Sequence, residues 1–272
     1  MANTFLSNDF LDRNMDPRVR GFPLMMEGTW KVVAIAAVYV IFAKLWNPKV
    51  TKNSADLRPW LLIQNGFAFG CHGAGLVIAL ILSEFGKESF DCSPLEQPKR
   101  TAELSYEYIK SESIIHLSAV LLFLRIFLLT EGLMIKLLKD RPVSNMRIIN
   151  DVSLLLFCYI GFKYLPGGPS FFFALTYVTF NTFTYGYHTL KFGSFSTDDM
   201  LSSWNRIFVA LQFLWALSSL SHSMYLFFNS SCNSQSNVYP LATIELLHSI
   251  GTFYNFHKSI QKDRKTDKIH WT

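Results

Sequence analysis

The sequence has few charged residues and no compact metal-binding motif. Only 17% of its 272 residues are Asp, Glu, Lys or Arg, against about 25% in an average soluble domain. The four cysteines form no C-x-x-C pair, and no two of the seven histidines lie within eight residues of each other. Zinc and di-iron sites built from closely spaced ligands are therefore excluded, and we expect no bound metal or cofactor.

Apolar residues are abundant and are concentrated in long runs. They make up 50% of the chain, and a bilayer span needs roughly 20 of them in succession. The runs cover residues 30–46, 60–82, 114–138, 148–165, 170–190, 207–228 and 238–256. This pattern predicts an all-α, multi-pass membrane protein with seven transmembrane helices. Four glycines in the second run permit close packing of helices, namely Gly66, Gly70, Gly73 and Gly75.

The distribution of charge between the runs predicts how the chain is oriented. Lys and Arg collect in cytosolic loops, and they are enriched after residue 257, between the first two runs, and between the third and fourth. We therefore expect a lumenal N-terminal segment (1–29), a seven-helix membrane domain (30–257) and a basic cytosolic tail (258–272). Because the basic residues do not form one patch, the net charge of +5 indicates membrane orientation, and we expect no nucleic-acid partner.

This topology places Cys92 and Cys232 on the same lumenal face. An oxidising compartment favours a disulfide between them, whereas Cys71 and Cys158 lie inside spans and are interpreted as packed thiols. Asn229 begins an N-x-S glycosylation sequon on the lumenal face. These features favour the membrane of the endoplasmic reticulum or a later secretory compartment.

Several short stretches together resemble the ELO family, the seven-helix condensing enzymes of very-long-chain fatty-acid elongation. Their order and spacing match the family over nearly the whole chain, and they fit the topology derived from charge. The resemblance implies an acyl tunnel enclosed by the helices, with malonyl-CoA and long-chain acyl-CoA as ligands. The matching stretches are Asp16-Pro17-Arg18-Val19, Asn47-Pro48-Lys49 with Asn65, Ser89-Phe90-Asp91-Cys92, Lys163 to Gly168, and Leu211-Gln212.

The sequence departs from the family pattern where the family has its catalytic histidines. Counting back from Gly167-Gly168, the His-x-x-His-His box falls on Arg147, Asn150 and Asp151. Counting forward, the histidine of the fifth span falls on Asn181. The resemblance therefore implies that no catalytic histidine is retained.

The residues at these positions do not offer an equivalent chemistry. Imidazole suits nucleophilic and acid–base work near neutral pH, whereas an amide or a guanidinium offers no comparable nucleophile. Arg147 lies four residues before Asp151 and is expected to pair with it. Charges inside a span are costly unless paired, so we expect a second pair between Arg125 and either Glu131 or Glu245. As replacement catalytic groups, Cys158 is disfavoured by its apolar surroundings and His188 by its place at the membrane interface.

Other positions are candidates for ligand binding rather than catalysis. Lys136, Lys139 and Arg141 lie at the predicted cytosolic mouth, where they attract the phosphates of CoA, although positive-inside orientation explains them equally well. The resemblance adds Tyr185, Tyr187 and Gln212.

Three functions remain open from the sequence. The first is an ELO-like protein that has lost condensation and binds acyl-CoA or lipid, or modulates other elongases and elongation-cycle enzymes. The second is an active, divergent 3-oxoacyl-CoA synthase. The third, a seven-helix receptor or transporter, is disfavoured by the family-like turns.

Overall fold

The structure, a computed structural model, describes residues 15–25, 29–45, 58–85, 106–139, 143–164, 169–193, 198–229 and 243–251. These residues form helices and turns, with no strand among them. A 3₁₀ turn (Pro17–Val19) precedes helices α1 (Trp30–Leu45), α2 (Arg58–Leu82), α3 (Tyr106–Lys139), α4 (Asn145–Tyr164), α5 (Pro169–Phe192) and α6 (Asp198–Phe228). Residues 243–251 are also helical and are called α7. The predicted all-α class is confirmed for this part of the chain.

Two helices extend well beyond the apolar runs that predicted them. α3 has 34 residues and α6 has 31, which correspond to about 51 Å and 46 Å at ~1.5 Å per residue. Their additional turns carry charged residues such as Glu107, Lys110 and Asp199, so the apolar pattern ends before the helix does. Both helices are longer than the roughly 30 Å hydrocarbon core of a bilayer.

Two stretches of the described residues are long and apolar enough to cross a membrane. They are Pro59–Leu82 in α2 and Ile109–Met134 in α3. α4 is more polar because it contains Arg147, Asp151 and Lys163. The seven spans expected from the sequence therefore remain a prediction.

Large apolar side chains cover the outer surfaces of α1 and α2. Ile41 is 52% exposed, Ile63 65% and Ile81 59%. Soluble monomers seldom expose extended apolar faces of this kind, whereas helices that contact lipid do. These faces support a membrane environment for both helices.

The glycines of α2 bring it close to α5, and these two helices make the most extensive contact between any described pair. A methyl group added at Gly66, Gly73 or Gly75 would lie 3.7–3.9 Å from a side chain of α5. The predicted role of glycine in close packing is confirmed at these three positions. Gly70 differs, because nothing lies within 4 Å of a methyl group placed there.

The threonine hydroxyl groups of α5 are hydrogen-bonded within their own helix. Five threonine side chains donate to backbone carbonyls three or four residues earlier at 2.7–3.1 Å: Thr176, Thr179, Thr182, Thr184 and Thr189. This local bonding satisfies the hydroxyls in apolar surroundings.

Residues 15–25 pack against the C-terminal end of α4. The backbone N–H of Asp16 donates to the carbonyl of Lys163 at 3.0 Å. Val19 and Met25 are fully buried in a core cluster shared with α1, α3 and α4. This segment therefore contributes to the core of the helix bundle.

Candidate functional site

A cavity of about 380 Å³ lies between α3, α4, α5 and α6. The four positions at which the resemblance places the family's histidines all line it. Arg147, Asn150 and Asp151 are spaced i, i+3, i+4 and therefore share one face of α4, while Asn181 comes from α5. The remaining lining residues are Arg125, Glu131, Ser144, Leu154, Phe180, Thr184, Tyr185, His188 and Trp215.

Asp151 is the centre of a charged network on the cavity wall. Arg125 Nη2 donates to Asp151 Oδ1 at 2.5 Å, and Arg147 Nε lies 3.6 Å from Asp151 Oδ2. Tyr39, from α1, also donates its hydroxyl to Asp151 Oδ2 at 2.5 Å. Arg147 Nη2 continues the network to Glu131 Oε2 at 3.1 Å. Two cations and two carboxylates therefore balance each other within it.

The expected pair between Arg147 and Asp151 is confirmed, but the expected partners of Arg125 are wrong. Arg125 and Glu131 are six residues apart on α3, which at 100° per residue places them about 120° apart around the helix. Arg125 therefore turns toward α4 and pairs with Asp151.

Glu245 lies outside this network. It pairs with His222, whose Nδ1 is 3.0 Å from Glu245 Oε2, and both side chains are almost completely buried. This contact joins α6 to α7. Glu245 was expected only as a partner of Arg125, and its pairing with His222 was not predicted.

Three of the four charged residues of the network are shielded from solvent, whereas the side chain of Arg147 is 37% exposed. Arg125 is 4% exposed, Glu131 5% and Asp151 7%. Removing one member of a buried ion pair costs about 3–5 kcal/mol, because its partner is left buried and uncompensated. Loss of any one of the three buried charges is therefore expected to destabilise the protein.

Asn181 is engaged within its own helix. Its Nδ2 donates to the carbonyl of Tyr177 at 2.8 Å, and its side chain is buried. This bond fixes the amide against α5 at the edge of the cavity. An amide held in this way is a polar wall group with no nucleophilic character.

The structure locates only some of the predicted ligand-binding residues. Tyr185 lines the cavity and is buried. Tyr187 is partly buried and contacts the ring of His188, with ring centroids 5.4 Å apart. Lys136 and Lys139 lie in the last turns of α3, where the structure describes the backbone alone, and the same holds for Gln212 in α6. Arg141 lies outside the described residues.

The lumenal residues predicted from the sequence are largely outside the described ranges. Cys92 and Cys232 both fall there, so their predicted disulfide remains a prediction. Asn229 directly follows α6, and its backbone N–H donates to the carbonyl of Tyr225 at 2.9 Å. Its glycosylation also remains a prediction.

Cys158 lines a separate and smaller cavity of about 30 Å³. Its neighbours there are mainly apolar and aromatic residues such as Leu121, Phe157 and Phe173. Cys158 does not line the larger cavity with Asp151, although the two residues are seven positions apart on α4.

Three side chains near the site were not identified by the sequence analysis. Tyr39 binds the central carboxylate, and Trp215 lines the cavity. His72, in α2, is fully buried; its Nδ1 lies 2.7 Å from the carbonyl of Ala68, and its ring stacks on Tyr185. Each of these residues stands in an apolar run, and the pattern of such a run does not predict which side chains an aromatic residue or a histidine will contact.

The order of motifs, the helical architecture and the polar cavity together define the class of the protein. The family model for the ELO family, described as the GNS1/SUR4 family, matches residues 24–268. The chain therefore belongs to the ELO family, whose elongases are membrane proteins.

Individual relatives agree with this assignment over most of their length. The chain is 24% identical to very long chain fatty acid elongase 7 of Drosophila melanogaster, over 94% of this chain and 77% of that protein. It is 25% identical to very long chain fatty acid elongase 1 of Homo sapiens, over 89% of this chain and 83% of that protein. Human very long chain fatty acid elongase 4 is 24% identical, over 93% and 78% respectively.

Proposed function

We propose that this protein binds a long-chain acyl-CoA or lipid in the cavity between α3, α4, α5 and α6 without condensing it with malonyl-CoA. The observation that carries the proposal is the composition of the cavity wall. Where the resemblance places imidazoles, the wall presents two amides, a carboxylate and a guanidinium. The carboxylate and the guanidinium already bind each other and their neighbours.

Condensation needs a group that takes the acyl chain from its thioester. Asp151 would have to form an anhydride, and its carboxylate already interacts with Arg125, Tyr39 and Arg147. Such contacts occupy the lone pairs of the carboxylate oxygens and reduce their nucleophilicity. Cys158 lines the other cavity. Loss of a catalytic nucleophile commonly lowers a rate by several powers of ten.

The cavity is nonetheless of a size that suits ligand binding. A volume of about 380 Å³ falls within the range of small-molecule sites, roughly 300–1,000 Å³. The relatives are named as fatty acid elongases, which favours an acyl-CoA as ligand. We propose that Tyr185, Tyr187 and Gln212 contact this ligand. Lys136, Lys139 and Arg141 are proposed to attract its phosphates.

A turnover assay tests the catalytic half of the proposal. Purified protein is incubated with stearoyl-CoA and malonyl-CoA, and 3-oxoacyl-CoA is measured against heat-denatured protein. We expect no product above this control. Product formation would reject the proposed loss of condensation.

A binding assay tests the other half. Native mass spectrometry is expected to show stearoyl-CoA retained by the intact protein. Thr184→Trp places a bulky ring at the cavity wall and should abolish retention. Phe183→Trp is the matched control, because the adjacent side chain is 42% exposed and does not line the cavity. Equal retention by both variants would place the ligand elsewhere.

A divergent active synthase is the second candidate, and one observation favours it. His188 lines the same cavity as Arg147 and Asn181, so an imidazole is available on its wall. If the turnover assay detects product, His188→Phe should abolish it. Product that persists in this variant would exclude His188 as the catalytic imidazole.

We also propose that the protein spans the endoplasmic reticulum membrane seven times, with its N-terminus in the lumen and its C-terminus in the cytosol. The alternation of loop charge supports this topology. A mobility shift on reduction that Cys232→Ser removes would support the Cys92–Cys232 disulfide, and a glycosidase-sensitive mass at Asn229 would support lumenal exposure.

Other elongases or elongation-cycle enzymes are proposed partners, testable by co-purification from mild detergent.

A further inference from the structure

We propose that Asn181 and Tyr185, which stand on the part of the cavity wall formed by α5, recognise a hydroxyl group close to the thioester of an acyl-CoA. This inference rests on the proposed binding function and names the class of acyl chain that the cavity prefers, namely a hydroxyacyl chain. It also gives a role to the Asn181 amide, which offers no nucleophile.

The two side chains are neighbours on one face of α5. They are four residues apart, a spacing that brings Cβ atoms on a helix to roughly 5–6 Å of each other, and both line the cavity. Long side chains in a helix lean toward its N-terminus, so the Tyr185 ring extends over the turn that carries Asn181. His72 holds the ring there by stacking on it, with ring centroids 5.3 Å apart. The two residues therefore present their polar groups to the same part of the cavity.

The Asn181 amide presents its oxygen as an acceptor. Its Nδ2 donates to the carbonyl of Tyr177 at 2.8 Å. Because a backbone carbonyl only accepts, this bond fixes which way the amide is turned and leaves Oδ1 on the other side. Within the part of the chain that the structure describes, Oδ1 of Asn181 accepts no hydrogen bond and is not enclosed, whereas Oδ1 of Asn65 in α2 is enclosed.

The Tyr185 hydroxyl is available in the same way. Among the described residues it has no hydrogen-bond partner, and it is not enclosed, whereas the hydroxyl of Tyr177 is enclosed. Asn181 is only 6% exposed and Tyr185 4%, and polar groups at such sites are normally hydrogen-bonded. A ligand that pairs with both oxygens would supply the missing partners.

A hydroxyl group fits this pair of oxygens. Its oxygen accepts from the Tyr185 hydroxyl while its own hydrogen is donated to Asn181 Oδ1. A thioester carbonyl only accepts and an amide N–H only donates, so each would satisfy one member of the pair alone. An ammonium group would bring a charge to a wall whose two arginines are already balanced by two carboxylates, and the desolvation of that charge would not be offset.

The test compares two ligands that differ in one oxygen atom. 3-Hydroxystearoyl-CoA carries a hydroxyl beside the thioester, where the polar groups of the ligand stay together, and stearoyl-CoA lacks it. Binding is measured with the full chain in bilayer discs of phosphatidylcholine, which has no free hydroxyl. A site that hydrogen-bonds a hydroxyl discriminates against the analogue that leaves its polar groups unpaired. We expect 3-hydroxystearoyl-CoA to bind about tenfold more tightly, a difference of ~1.4 kcal/mol.

Two variants then assign this preference to the pair. Tyr185→Phe keeps the ring on His72 but removes the hydroxyl, and Asn181→Leu keeps the approximate shape of the side chain but removes the acceptor. Each should reduce the ratio of the two affinities by about threefold or more, the effect of losing one neutral hydrogen bond. Tyr225→Phe is the matched control, because it removes a phenolic hydroxyl from a residue that does not line the cavity, and it should retain the full ratio.

The outcomes separate this inference from the proposed function. Equal affinities of the wild-type protein for the two ligands would show that the pair is satisfied without a ligand hydroxyl, for example by water, and would overturn the inference while the proposed function stands. A preference that survives intact in either variant would also overturn it. Binding of neither ligand would reject the proposed function and the inference with it.

A membrane lipid with a free hydroxyl is a second source of the same group. Discs that also contain distearoylglycerol offer such a hydroxyl. A preference that disappears only in these discs would support hydroxyl recognition and identify the lipid as the competing source.

Discussion

Removing the charge of Asp151 should strongly destabilise the protein. Asp151→Asn keeps the shape of the side chain but leaves the Arg125 guanidinium, 4% exposed, without its counter-charge. It also weakens the hydrogen bond from Tyr39. Breaking a buried ion pair costs about 3–5 kcal/mol. At roughly 2–4 °C per kcal/mol for chains of this size, the midpoint of thermal unfolding should fall by about 6–20 °C.

Thermal unfolding in detergent, followed by intrinsic fluorescence, measures this shift. Glu112→Gln is the control for loss of one carboxylate, because the Glu112 side chain is 38% exposed and its contact with His116 is 4.0 Å long. Exposed pairs contribute little, about 0–1 kcal/mol, so this variant should unfold within ~3 °C of wild type.

A double variant separates charge compensation from a general effect of substitution at this site. Arg125→Met combined with Asp151→Asn removes both charges, so no uncompensated ion remains. The double variant should be more stable than Asp151→Asn alone, since neutralising both partners is commonly far less costly than breaking the pair. An Asp151→Asn variant that melts like Glu112→Gln, or a double variant that melts at the sum of the two single shifts, would refute this reasoning.

Two further substitutions probe other buried contacts. Gly132→Ala places a methyl group 2.9 Å from the Tyr39 hydroxyl and displaces it from its acceptor. Relative to Gly70→Ala, which meets open space, it should lower the free energy of unfolding by about 1–3 kcal/mol; equal melting temperatures would contradict this. Glu245→Gln leaves His222 without its carboxylate partner and should lower the free energy of unfolding by about 2–3 kcal/mol. Its melting temperature should therefore fall more than that of Glu112→Gln. A smaller shift than the control's would show that the His222 contact is not stabilising.

The helical architecture could be predicted from apolar runs because each run marks the lipid-compatible centre of a helix. The ends could not, because the first turns of α3 and α6 carry charges that interrupt the pattern without interrupting the backbone hydrogen bonds. α4 shows the same effect on a smaller scale. Its helix begins three residues before its apolar run, because the polar residues Asn145 and Arg147 stand in the first turn.

The candidate site could be predicted in part. Helical spacing placed Arg147, Asn150 and Asp151 on one face of α4, and the structure shows that face on the cavity. The partner of Arg125 could not be predicted, because it depends on how α3 is rotated toward α4. The same limit applies to Tyr39 and Trp215, whose contacts depend on how α1 and α6 are rotated about their axes.

The hydrogen bond between Tyr39 and Asp151 has a consequence for biosynthesis. These residues are separated by 112 positions. At about 5–20 residues per second, Asp151 is synthesised roughly 6–22 s after Tyr39. Arg125 and Asp151 are separated by only 26 positions. Arg125 and Asp151 are thus able to pair within the segment from α3 to α4, whereas the hydrogen bond from Tyr39 also requires α1 to pack against that segment.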